Sequence, residues 1–470
     1  MKNRFFRIIF FAFLITAIAS CDNKFLQKEG GVMKNELDPN DPENFETPED
    51  MPYANFYFVN SEDDLKIKLP KVIDGTWEIN GKPIGSMPEG DIIFALSRNI
   101  TYGGEPIAIG ADGFKSKFYG NGYSVVLNGG KALFAVAGDG AVFRNIMIDA
   151  EVPVSNLIDN LAGGGKLNSV GILVGETNGA VEFSDVTITG DISISDLSGA
   201  SSSATFYVGA ITGKYDNSAS PTATVLKHCA YLGNIVVTPA SFSNNILAGG
   251  LIGIVEGANI ENSFATTQLL NIRGATNVNV GGICGQTDGT IKYCYVNGII
   301  SAFGNSGAAV GGITYKTTNA DDYAITKCAV LIRRIETSAT ATVNRVVTNY
   351  PTDPSRDYDN YAYVSLYCLN GTTPSMVWGE DLNEGNNAMQ NGQKFGSDAK
   401  LYFGLATRGF YDDAAANSVT ASAIQRSALE WSFPTETSPG DWRWASNGWP
   451  LPIPLNCIEP PTDFYTPLEL

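Results

Sequence analysis

The chain has 470 residues, of which 44% are hydrophobic, 17% are charged and 50 are glycine; it can bury a large core and carries less charge than a helical protein would. Its 31 basic and 49 acidic residues leave a net charge of −18, which repels phosphate backbones and argues against nucleic acid as a partner. A single histidine leaves little room for a histidine triad, an HExxH protease or a His-based metal centre, and neither a metal nor a cofactor is expected.

The chain opens with Lys2, Arg4 and Arg7 ahead of an apolar run over residues 8–19. That run is too short for a membrane span of about 17–25 residues and has the layout of a secretory signal. It ends in Ile18-Ala19-Ser20-Cys21, which resembles a bacterial lipobox; the resemblance implies that residues 1–20 are removed and that Cys21 is lipidated. Residues 21–52 then read as a tether, because residues 36–50 hold seven acids, three prolines and no base and should stay extended. Cys229, Cys284, Cys294, Cys328, Cys368 and Cys457 would fold in a disulfide-permissive compartment, with their pairing open. No CxxC spacing among them suggests zinc.

Residues 53–110 are expected to form an N-terminal cap and lead-in strands, followed by an internal repeat over residues 111–336. Five segments share a Gly-x-[Leu/Ile]-x-Gly head: Gly171 to Gly175, Gly209 to Gly213, Gly249 to Gly253, Gly281 to Gly285, and a last copy opening at Gly311 whose final glycine is replaced by Tyr315. The heads are 38, 40, 32 and 30 residues apart. Roughly ten residues after each head comes a second box, of which Ile260-Glu261-Asn262-Ser263 and Ile291-Lys292-Tyr293-Cys294 are examples. An earlier copy of this box, Phe143-Arg144-Asn145-Ile146, stands before the first head. The fourth and sixth positions alternate as a strand does, whereas the odd step from first to fourth requires a bend. The head glycines suit sharp backbone geometry or close packing between layers.

Short strands recurring every 30–40 residues, with almost no helical periodicity, predict an all-β chain coiled as a right-handed parallel β-helix. A β-sandwich array is the alternative. Stacking in register would place Lys227, Glu261 and Lys292 in one column as an exposed ladder of ion pairs. It would also stack Cys229, Ser263, Cys294 and Cys328 as small core residues, with His228 facing away from Cys229.

The Gly-Gly-Leu-Ile-Gly run at 249–253 with Ile-Glu-Asn-Ser-Phe-Ala-Thr at 260–266, followed by Gly-Gly-Ile-Cys-Gly at 281–285, resembles the GLUG motif of bacterial surface proteins. The stretch at 114–124 with Ala132-Leu133-Phe134 is similar to the segment that often precedes such repeats. Together with the lipobox, the chain resembles surface lipoproteins common in Bacteroidetes. That resemblance, over about residues 90–335, implies a lipid-anchored protein of the outer membrane, at the cell surface or on its periplasmic face, acting in adhesion, and carries no catalytic residues.

Residues 337–470 are irregular, and four of the six tryptophans fall between Trp431 and Trp449, which reads as an aromatic C-terminal cap on the solenoid or as a sugar-stacking platform. Catalysis is not expected, because the strand acids Glu182, Asp185, Asp191 and Glu261 form no repeating column; a polysaccharide lyase or hydrolase on a β-helix, and a purely structural envelope component, are the alternatives. Asp353, Asp357 and Asp359 lack the glycine and closing glutamate of a calcium loop. The loops over residues 193–206, 238–247, 271–279 and 301–309 recur at one point of the coil and would line one side of it. Their polar residues, among them Asn244, Asn245, Asn271, Asn277 and Asn305, are the expected binding face for a host or bacterial glycan or protein.

Overall fold

The computed structural model describes residues 55–348 apart from 80, 161–163, 219–223, 320–323, 338–340 and 345, together with 360–363, 367–370, 373–377, 400–402, 410–411, 424–425, 431–433, 440–444, 446 and 452–457. Cys21, the signal, the tether and Asp353, Asp357 and Asp359 lie outside the described residues.

The chain is a parallel β-helix with three sheets, to each of which the repeat turns from Ser169 onward contribute a strand or strand pair. Sheet I stacks Ser169–Val170, Phe206–Val208, Phe242–Gly249, Ala275–Gly281, Gly307–Gly311 and Thr342–Asn344. Sheet II stacks Phe134–Gly138, Val174–Asn178, Thr212–Asp216, Ile252–Glu256, Cys284–Thr287 and Thr314–Thr317. Sheet III carries the second boxes, in Val142–Val154, Glu182–Ile194, Thr224–Val237 and the strands that follow them. Every repeat position sits over its counterpart: Phe183 on Phe143, Cys229 on Val186, Ile291 on Ile260. The parallel stack already begins at Phe56–Val59, which pairs with Ile93–Leu96 and through it with Lys117–Tyr119. Over these first turns a helical segment, residues 64–73, lays down Leu65, Leu69 and Val72, all fully buried.

The bend inside the second box is a single residue in the left-handed backbone region. Asn145, Asp185, His228, Asn262, Tyr293 and Lys327, the third residue of six successive boxes, have φ between 46° and 57°. Asn, Asp and His enter this region comparatively easily; Tyr and Lys do so at a cost of about 1–2 kcal/mol, which the pairing of the rungs on either side must offset. The carbonyl of the second box residue, just before the bend, also accepts from the fourth residue where that residue carries an S–H or O–H. Cys229 Sγ reaches Lys227 O at 3.5 Å, Ser263 Oγ reaches Glu261 O at 2.7 Å, Cys294 Sγ reaches Lys292 O at 3.2 Å and Cys328 Sγ reaches Thr326 O at 3.3 Å. These bonds satisfy the polar atoms of Cys229, Ser263, Cys294 and Cys328 inside the expected column of small core residues, whose earlier members Ile146 and Val186 carry no such donor. Cys229, Cys284, Cys294, Cys328 and Cys457 are free and buried.

The head forms the corner from sheet I to sheet II, and its glycines answer to close packing rather than to backbone conformation. None of Gly171, Gly175, Gly209, Gly213, Gly249, Gly253, Gly281, Gly285 or Gly311 has a positive φ. A Cβ at Gly213 would lie 2.5 Å from both Tyr207 O and Val170 N, and one at Gly253 would stand 2.7 Å from Val208 N. Only hydrogen fits where neighbouring backbones approach this closely.

The tryptophan-rich segment covers the solenoid on its flank rather than over its last turn. Trp431 and Trp442 stack on each other at 4.5 Å and, with Ile453 and Cys457, pack on Ala230, Leu232, Phe264, Tyr295, Ala329 and Leu331 from successive turns of sheet III. Polar bonds fix the register of this strap: Trp442 Nε1 donates to Asn262 Oδ1 at 2.9 Å, Trp431 Nε1 to Lys327 O at 2.9 Å and Tyr295 OH to Pro452 O at 2.9 Å. Both indoles are buried, so neither offers a face to a sugar. The physical reason for the flank position is the apolar outer column Ala230, Phe264, Tyr295, Ala329, in register across four turns, which would otherwise face water.

The ion-pair ladder is corrected in part. Lys227, Glu261 and Lys292 are in register as expected, but Lys227 Nζ bonds the strap carboxylate of Asp441 at 2.9 Å, and among the described residues no ion pair joins the three rungs to each other. Asp441 is brought there by the docked strap and already accepts from Ser432 and His228.

Candidate functional site

The expected asparagine face does not assemble as one loop surface. Asn271 lies in the sheet III strand Phe264–Arg273 and Asn277 in the sheet I strand Ala275–Gly281, with Gly274 (φ 81°) as the whole connection. The reason is visible in the repeat lengths: steps of 32 and 30 residues leave no chain for a loop, whereas steps of 38 and 40 do. The asparagines are also engaged inside the fold. Asn277 Nδ2 donates to Asn245 Oδ1 at 2.9 Å, Asn244 Nδ2 to Ser202 O at 3.4 Å, and Arg273 Nε to Asn271 Oδ1 at 2.8 Å. Asn305 is exposed at the corresponding corner of the next turn, its N–H bonded to Ala275 O at 2.8 Å.

The loops of the earlier turns do build a site. Residues 155–160, 164–168 and 195–205 project from the turns ahead of the second head and, with the segment 105–108 and Lys131, enclose a groove of about 590 Å³. Its floor is apolar, with Pro106, Ala135, Leu157 and Ile158, and is backed by a small separate core of Ala132, Ala135, Val136, Ile158 and Leu167. Its rim carries Glu105, Lys131, Asp159, Lys166 and Asp196, with Ser155, Asn156 and Ser198 between them. Lys166 Nζ pairs with Asp159 at 2.6 Å, and Lys131 pairs with Glu105. The acidic partners are 72% and 77% exposed, so these pairs hold little energy and can be exchanged for ligand contacts. Loop positions are locked from behind: Asn168 bonds Ser201 in both directions at 2.8 and 3.0 Å, and Asn156 Nδ2 donates to Gly130 O at 3.1 Å. Asp196 accepts from the Ser198 N–H at 2.8 Å, which holds its carboxyl below the usual range and keeps it an acceptor. An apolar floor with a few fixed polar groups on the rim suits a ligand that has both apolar faces and hydroxyl or charged edges.

A second cluster was missed by sequence reasoning. On sheet II, Glu176 is in register with Lys214 and Asp216 with Glu256; Lys214 Nζ bonds Asp216 at 2.8 Å and Ser169 Oγ donates to Glu176 at 3.0 Å. Burial works against the charge of Lys214, but the Asp216 bond and the surrounding carboxylates outweigh it and raise its pKa. A lysine that holds its proton this firmly is a poor general base. Burial, then the charge of Asp216, pushes Glu256 up, while the Lys214 and Ser218 hydrogen bonds overcome burial and hold Asp216 down. The signal that could have found the cluster is the two-residue spacing of Lys214 and Asp216 at the end of a repeat head.

His228 faces away from Cys229, as expected. Its Nδ1 lies 3.0 Å from Asp185 Oδ1 and its Nε2 lies 3.0 Å from Asp441 Oδ1. Among the described residues no group of three or more His, Cys, Asp or Glu side chains could hold a metal ion.

Comparison with known proteins adds a motif. Residues 244–268 match the Glug family, described as the GLUG motif; they run from the sheet I strand through the Gly249–Gly253 head to the sheet III strand of the same turn. No curated protein matches the sequence. Among solved structures, one described as "IgA1 Protease" is similar, at 17% identity and a TM-score of 0.40, over 67% of this chain and 22% of that one. This chain therefore spans well under two thirds of that protein's length.

Proposed function

We propose that the chain is an exported, lipid-anchored protein of the cell envelope that binds a glycan or protein ligand without catalysis, through the groove lined by residues 155–159, Lys166, Asp196, Ser198 and Gly199. The observation that carries this reading is the composition of the groove: an apolar floor, opposite charges already paired on an exposed rim, and loops locked from behind. Such a site binds by exchanging weak rim pairs for ligand contacts while its backbone stays preorganised. The lipobox-like sequence ending at Cys21 and the acidic tether support display away from a membrane, and the GLUG motif at residues 244–268 is in keeping with an envelope protein.

The test is a glycan and extracellular-matrix array probed with the purified protein and with a Lys131→Ala/Lys166→Ala variant. Saturable binding that falls at least about tenfold in the variant, roughly 1.4 kcal/mol, is the expected result; binding unchanged in the variant removes the groove from the proposal. A second reading, polysaccharide cleavage, is favoured by one feature, the in-register Asp216 and Glu256, whose proton affinities are pushed apart. Reducing-end release in the same wells, abolished by Asp216→Asn, would establish that reading in place of the first.

A further inference from the structure

We propose that the C-terminal strap is fastened to the flank of the solenoid by the protonated imidazolium of His228, and that the fastening loosens as this proton is lost on raising the pH. The geometry requires two donors. The ring lies between Asp185, in the corner of the preceding turn, and Asp441, on the strap, with each nitrogen 3.0 Å from a carboxylate oxygen. A neutral imidazole has one N–H and would turn a lone pair toward one of the two carboxylates. Only the charged ring satisfies both, and it does so at 8% exposure, where charge-assisted bonds are strong and an unmatched one is costly.

The surrounding groups agree. From the solenoid, Asp185 and Lys227 face the site, Glu261 stands in register beside Lys227, and Asn262 is the next residue of the corner column. From the strap come Asp441, its partner Ser432, Cys457, whose Sγ donates to His228 O at 2.9 Å, and Arg443, whose guanidinium is bonded to Leu455 and Cys457 carbonyls. Burial disfavours the charged ring, but the hydrogen bonds of Asp185 and Asp441 prevail and the pKa of His228 rises above its ordinary 6.5. The sign follows from linkage. A raised folded-state pKa contributes stability that is fully present below about 6.5 and is lost as pH climbs through the folded value. What is released is specific: Trp431 and Trp442 cover the outer column of sheet III, so loosening exposes an apolar flank spanning several turns.

His228 is the only histidine of the chain, so a histidine-selective NMR titration of the full protein reads it without assignment, and tryptophan emission and limited proteolysis read the strap in the same samples. The expected result is a single imidazole titration with a midpoint above 6.5, accompanied at the same midpoint by a red shift of tryptophan emission and faster cleavage C-terminal to residue 430. His228→Gln should show a loosened strap already at pH 6 and no pH-dependent step. Asp441→Asn, which leaves Asp185 as the only carboxylate on the ring, should move the wild-type midpoint downward. A titration at or below 6.5, or one above it with unchanged emission and cleavage, overturns the proposal.

Discussion

Replacing Gly281 by alanine tests whether the head glycines are set by contact between rungs. Gly281 ends a sheet I strand with an ordinary negative-region backbone, so alanine is not excluded by conformation. It is excluded by space: a Cβ there would lie 2.5 Å from Thr314 Cα on the next turn and closer still to Cys284 O. Backbone atoms cannot rotate away, so the corner must open by about an ångström. Overpacking of this kind costs about 1–3 kcal/mol. The corner bonds Gly282 N–H to Gly312 O at 3.1 Å and Ile283 N–H to Ile313 O at 2.8 Å are stretched at about 1 kcal/mol each. The alanine recovers about 0.4–1 kcal/mol by restricting the unfolded chain, which leaves a net loss of about 2–5 kcal/mol. Gly307→Ala is the control, because its added Cβ meets only Asn277 Oδ1, at 3.4 Å. Urea unfolding followed by far-ultraviolet circular dichroism should separate the two variants clearly. Midpoints for Gly281→Ala and Gly307→Ala within about 0.5 kcal/mol of each other would refute the close-approach account of all the repeat glycines.

Phe183→Ala should destabilise the solenoid by about 3–5 kcal/mol in the same unfolding assay, since Phe183 is fully buried and stacks on Phe143 at 5.3 Å. Burial pushes the thiols of Cys229, Cys294 and Cys457 up and that of Cys284 to about 12, so these four, counted with an aromatic disulfide reagent at pH 8, should stay unreactive in the folded protein and react once it is unfolded. Asn277→Ala removes the bond to Asn245 at 2.9 Å on a half-buried surface and should cost less than about 1 kcal/mol; a thermal melt checks this, and unchanged ligand binding in that variant would agree with the groove being the site.

The repeat was legible because its cause is local. A box whose first, fourth and sixth residues are apolar or small requires a bend at the third, and the left-handed residues Asn145 through Lys327 are that bend. The head glycines told of close approach, and the shortening of the steps from 40 to 32 residues already held the information that the later loops vanish, although composition alone suggested a polar binding face there. The cysteine and serine column looked like packing; that it also donates to the carbonyls just before the bend needed the geometry.

Sequence by itself therefore determined the coil, its register and the small residues its corners demand, because stacking makes each of these recur at a fixed spacing that can be read along one dimension. Tertiary structure alone decided where the irregular parts return. Asp441 meets His228 across 213 residues, the groove gathers Glu105, Lys131, Asp159 and Asp196 from separate turns, and Lys214 meets acids of the turns above and below. Such contacts have no period. They are fixed by which apolar flank remains uncovered and which loop has chain to spare, and these are properties of the assembled solenoid rather than of any segment.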